Sequence, residues 1–147
     1  MKHKVLKIAE KFHAGQKRRD GKDYVEHPKR VAYMLSKITD DPILLCVSYL
    51  HDTYEATRKH NPSKVGELEK EILALGDTLL ENVKLLSKPE GVEYNDYISK
   101  ISKDPYLLMI KFCDIIDNLT DNPTEKQKEK YLSALKLVFE GIFVKRI

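Results

Sequence analysis

Apolar residues recur every three or four positions along nearly the whole chain, the spacing of a helix that buries one face. Val5, Ile8, Ala9 and Phe12 form the first such stripe. Gly15 to Glu26 interrupts it, being polar, basic and too rich in turn formers to be helical throughout. Pro28 suits the first position of a second helix, whose apolar face is Val31, Ala32, Leu35 and Ile38. Asp40 and Asp41 before Pro42 announce a third, predicted to run to about Tyr54 through Ile43, Leu44, Cys46, Val47 and Leu50.

Asn61-Pro62 opens the next helix, with Val65, Leu68, Ile72 and Leu75 on one face and Gly76 at its end. A short helix follows through Leu79, Leu80, Val83 and Leu86, closed by a turn from Lys88 to Gly91. Tyr94 to Ser102 makes another, and Asp104-Pro105 starts the one that carries Leu108, Phe112, Ile115 and Leu119. Thr124 with Gln127 three residues on matches a capping box for a last helix through Tyr131, Leu135, Val138 and Ile142. No period-two segment flanked by hairpin turns occurs, and no repeat. The expected architecture is all-α: an irregular helical bundle of about seven or eight helices, forming a single domain over residues 1–147.

Composition narrows this without redirecting it. With 147 residues, 41% apolar and 33% charged, the chain can build one packed core and one active site. Its longest apolar stretch, Ile43 to Leu50, is far short of a membrane span, and Lys2, Lys4 and Lys7 break up the start as a secretory signal would not. A cytoplasmic protein is expected, with Cys46 and Cys113 as small core residues. The net charge of +3 is uneven: residues 1–31 hold ten Lys and Arg against four Asp and Glu. That end could meet an anion or simply be a solvated face. Nucleic acid is disfavoured, because Lys17, Arg18 and Arg19 have no interleaved aromatics.

A few polar residues stand where packing alone would not put them. His51 and Asp52 are adjacent near the end of an apolar helix, and Asp114 lies between Phe112, Cys113, Ile115 and Ile116. A carboxylate in such a frame is rarely buried without a cation or several donors. His27 precedes Pro28 at the entrance of a helix. Two His and two Asp would make a mixed nitrogen and oxygen shell suited to Mn²⁺, Fe²⁺, Co²⁺ or Zn²⁺ rather than Ca²⁺. Taken singly, His27, Asp114 and the His51-Asp52 pair each read more readily as hydrogen-bonded structural residues. Glu55 falls four residues after His51 and Asn118 four after Asp114, spacings that place each one helical turn from a candidate ligand. Asp117 and Asp121 are read as facing solvent.

The segments HAGQKRRDGKDYVEHP (His13 to Pro28), HDTYEAT (His51 to Thr57) and IKFCDIIDNL (Ile110 to Leu119), in this order, resemble the HD-domain hydrolases of the RelA/SpoT type, particularly their small stand-alone alarmone hydrolases. The resemblance spans about residues 5 to 122. It implies an HD-type fold and one divalent metal, commonly Mn²⁺, on His27, His51, Asp52 and Asp114. It also implies removal of the 3′-pyrophosphate from guanosine tetra- or pentaphosphate. Glu55 and Asn118 match catalytic positions, Arg18 the basic residue against the nucleotide base, Arg19 a neighbouring substrate contact, and Tyr24 the aromatic leading to the first metal His. Two departures stand out. Ala56 replaces the Asp that usually follows the catalytic Glu, and Asp117 stands where the family often has His. Another nucleotide as substrate, or nucleotide binding with reduced catalysis, are the alternatives these departures raise. No synthetase domain is expected within the chain.

Overall fold

The computed structural model describes residues 1–141, in nine α-helices and a short 3-10 turn among those residues. The predicted Ile142 of the last helix lies outside them. The chain divides into two compact units, Met1–Ser87 and a second beginning at Lys88.

The first unit holds α1 (Lys2–Phe12), α2 (Glu26–Leu35), α3 (Pro42–Leu50), α4 (Thr53–His60), the 3-10 turn Pro62–Lys64, α5 (Val65–Leu73) and α6 (Asp77–Leu85). Its middle is α3, which packs against α1, α2 and α6. That role follows from composition. Leu44, Cys46, Val47 and Leu50 are all buried, so this helix hides most of its circumference rather than one stripe. Asp41 starts it, its carboxylate accepting from the N–H of Ile43 at 2.8 Å and Leu44 at 3.2 Å. Val5, Val31, Leu35, Leu68, Ile72 and Val83 complete the buried layer around it.

Two boundaries differ from the sequence pattern, and a third is as read. Pro28 is the third residue of α2 rather than its first, which costs nothing because first-turn N–H groups have no partner within the helix. The helix expected to reach Tyr54 ends at Leu50, and α4 begins afresh at Thr53, leaving His51 and Asp52 in the junction. Gly76 both closes α5, its N–H reaching the carbonyls of Ile72 and Leu73, and stands before α6 at φ 153°, a value other residues rarely adopt.

The second unit holds α7 (Tyr94–Ile101), α8 (Pro105–Thr120) and α9 (Glu125–Phe139), with α9 packed on both others. Asp104 caps α8 through the N–H groups of Tyr106 and Leu107, and Thr124 with Gln127 forms the predicted capping box on α9. Ile98, Leu108, Ile110, Ile115, Ala134 and Val138 are fully buried. Asp117, read from sequence as solvent-facing, is 4% exposed, because α8 buries more than one face. Both cysteines are buried and free, as expected. No helix among the described residues is long and apolar enough to cross a membrane.

Candidate metal centre

The interruption between α3 and α4 makes the site. Asp52 stands just before α4 with a helical backbone, unlike the extended Asp41 and Asp104 that cap their helices, and its carboxylate makes no capping bond. It turns instead to two imidazoles. Asp52 Oδ2 lies 3.3 Å from His27 Nε2 and 3.2 Å from His51 Nε2, and one candidate ligand atom from each of the three residues lies within 4.8 Å of the others. Both histidine side chains are almost wholly buried, at 1% and 2% exposure, whereas the Asp52 side chain keeps 19%.

Hydrogen bonding sets the state of these groups. His51 Nδ1 donates to the carbonyl of Ser48 at 2.7 Å, so Nε2, the nitrogen facing Asp52, carries the lone pair in the neutral ring. Tyr24 donates its phenolic O–H to Asp52 Oδ2 at 2.7 Å. Burial pushes the Asp52 carboxyl up, but the adjoining His51 and His27 outweigh it and hold the group well below the usual carboxylate range. Two imidazole nitrogens and a carboxylate converging at a buried point are the donor types of a first-row divalent ion. The trio fits such an ion, and a buried pair of imidazoles with no ligand would be a costly way to fill a core.

Arg18 stands with its guanidinium 5.4 Å from the centroid of the Tyr24 ring, on a tight turn in which Arg18 N–H donates to Lys22 and Gly21 N–H returns to Arg18. Arg19 is on the exposed part of that turn. Glu55 is half-buried in the first turn of α4; because α3 and α4 are separate helices, it does not continue the helix that ends before His51. Ala56, next to it, lines a cavity of about 550 Å³ with Gln16, Thr57, His60 and Asn61.

In the second unit, Asp114 is 3% exposed and does have the cation its apolar frame demands, in the form of a lysine. Lys111 Nζ donates to its Oδ2 at 2.7 Å and Asn118 Nδ2 to its Oδ1 at 3.0 Å. Lys111 is itself buried, against the faces of Tyr94 and Tyr97. Sequence reading passed over Lys111, although its place three residues before Asp114 on a helix was a usable signal. It also passed over His13, which is 2% exposed, stacks on Tyr24 with ring centroids 4.8 Å apart, and donates from Nδ1 to Gln16 Oε1 at 2.9 Å.

This fold has a solved counterpart. Superposition on a metazoan ortholog of SpoT that hydrolyzes ppGpp gives a TM-score of 0.75 over 97% of this chain and 85% of that one, at 22% identity. The protein therefore has the all-α HD-type architecture. By sequence it is 33% identical over 140 residues to a probable GTP pyrophosphokinase of Mycobacterium leprae, covering 92% of this chain and 18% of that protein. It is 33% identical over 121 residues to a guanosine-3′,5′-bis(diphosphate) 3′-pyrophosphohydrolase of Borreliella burgdorferi, covering 80% and 18%. With a bifunctional (p)ppGpp synthase/hydrolase RelA of Mycobacterium tuberculosis it shares 32% over 140 residues, covering 92% and 19%. The chain is similar to these RelA/SpoT-type relatives, and it spans about a fifth of their length. No protein-family model matches it.

Proposed function

We propose that this chain is a cytoplasmic, metal-dependent hydrolase that removes the 3′-pyrophosphate of guanosine tetra- or pentaphosphate. The observation that carries the reading is the convergence of His27, His51 and Asp52 on one buried point, in a chain related to proteins named for that hydrolysis. The ligand set is completed, on this reading, by Asp114, and the ion is Mn²⁺. When bound, such an ion supplies positive charge at phosphate oxygens and a water of lowered pKa.

The chain's own residues do the rest. Water attacks the phosphorus on the ribose 3′ oxygen, that P–O bond breaks, the 3′ oxygen takes a proton, and pyrophosphate leaves with GDP or GTP as the other product. Glu55 accepts the proton lost by the attacking water. Arg18 and Arg19 hold the nucleotide, Arg18 against the base and Arg19 beside it, and their fixed charge offsets that of the phosphates. Tyr24 completes the substrate-facing wall. Asn118, already donating to Asp114, keeps that carboxylate oriented and offers its amide to the reacting phosphate.

The test is release of pyrophosphate and GDP from guanosine tetraphosphate by purified protein with Mn²⁺. Protein that binds Mn²⁺ yet leaves this substrate intact over hours would sink the assignment. One observation favours a second reading. Ala56 presents a methyl group to a cavity where the resemblance leads one to expect a carboxylate, which suits another nucleotide or binding with reduced turnover. In that case other nucleotides are cleaved, or guanosine tetraphosphate binds without reaction and Ala56→Asp creates turnover.

A further inference from the structure

The Tyr24 hydroxyl spends its hydrogen on the protein. It donates at 2.7 Å to Asp52 Oδ2, the same oxygen that faces His27 Nε2 and His51 Nε2. A phenol committed in this way does more than present its ring to a substrate. We propose that Tyr24 is a positioning residue for metal binding: its O–H sets the rotation of the Asp52 carboxylate. The inference rests on the metal reading above and assigns Tyr24 a role in it.

Two features of the chain make that role physical. First, the bond joins residues 28 apart and ends on the carboxylate oxygen that faces both imidazoles, so it fixes the rotation of the group a metal would need. A charge-assisted O–H to carboxylate bond is of sufficient strength for this. Second, the ring carrying the donor is held on several sides. His13 stacks on it at 4.8 Å, the edge of His27 meets it at 5.8 Å, and the Arg18 guanidinium lies over it at 5.4 Å. Its backbone is tied as well, Tyr24 N–H donating to Gln16 O at 2.9 Å while the Gln16 side chain holds His13. Partners of metal ligands act when their own positions are locked, and this one is.

Tyr24→Phe keeps the ring and removes only the hydroxyl. Metal-free wild type, Tyr24→Phe and Arg18→Ala are each titrated with Mn²⁺ by calorimetry, and turnover is followed at limiting and saturating metal. Tyr24→Phe is expected to bind Mn²⁺ about 10- to 100-fold more weakly, and saturating metal is expected to restore most of its kcat. Arg18→Ala leaves the hydroxyl in place and is expected to keep the wild-type metal affinity while raising KM. A Tyr24→Phe protein with wild-type Mn²⁺ affinity and a raised KM overturns the inference and returns Tyr24 to substrate contact. Wild type that binds no Mn²⁺ overturns the metal reading itself, which is a distinct result. If Tyr24→Phe does not fold, His13→Ala, which unseats the ring and keeps the phenol, is the second variant. It should weaken Mn²⁺ binding in the same direction, and unchanged affinity there counts against the proposal.

Discussion

Asp52 and Asp114 are both aspartates in apolar surroundings, but they are satisfied by different means. Asp52 faces two imidazoles and a phenol, and Asp114 faces a buried ammonium and an amide. The difference predicts different variant behaviour. His51→Ala and Asp52→Ala should each lose bound metal and turnover together, measured by metal content after dialysis and by pyrophosphate release. Glu55→Ala should keep its metal and lose turnover by about 100-fold or more, the usual size of a lost general base. Full activity in that variant would remove Glu55 from its assigned role. The cysteines make a separate prediction. Burial raises the Cys113 thiol to about 11 and pushes Cys46 up as well, so at pH 8 only about one Cys113 in a thousand is thiolate. Iodoacetamide should leave both untouched in the native protein and modify both in urea.

At the scale of elements, the helix starts were the most legible part of the chain. Asp41, Asp104 and Thr124 cap the helices they were read to cap, because an N-cap needs only a short acceptor side chain and the N–H groups two or three residues on. Asp41→Ala and Asp104→Ala should each lower stability by about 1 kcal/mol in urea titrations. Leu50, fully buried at the end of α3, is a stronger case: Leu50→Ala should cost about 2–5 kcal/mol through lost burial and the cavity left behind. The break after Leu50 could not be read in this way. Periodicity continues through it, and His51 and Asp52 keep helical backbone angles, so only the hydrogen bonds of the folded chain mark the ends of α3 and α4.

For the molecule as a whole, metal binding should couple to stability, since the site forms from residues of α2 and of the junction between α3 and α4, far apart in sequence. Mn²⁺ at about 100 times its dissociation constant should add about 2.7 kcal/mol, seen as a higher Tm, and a chelator should reverse it. No shift in Tm with a bound ion would mean that the unfolded chain binds the ion as well. Within the basic segment 1–31, Lys11 pairs with Glu67 and Glu71, Lys17 with Asp23, and Lys29 with Glu26, while the Arg18 guanidinium lies over the Tyr24 ring.

The sequence by itself determined the all-α class, the order of the helices, most of their starts and the residues worth testing, because these depend on local periodicity, short-range capping and residue chemistry. It also singled out His27, His51, Asp52 and Asp114 as polar residues out of place. Only the tertiary structure decided what each of them touches. The bond from Tyr24 to Asp52 joins residues 28 apart in the chain, the Ser48 carbonyl selects the His51 tautomer, and Lys111 proves to be the cation beside Asp114. Capping and periodicity are set within a few residues, whereas the donor that reaches a buried carboxylate depends on how separate helices pack, and no local pattern encodes that.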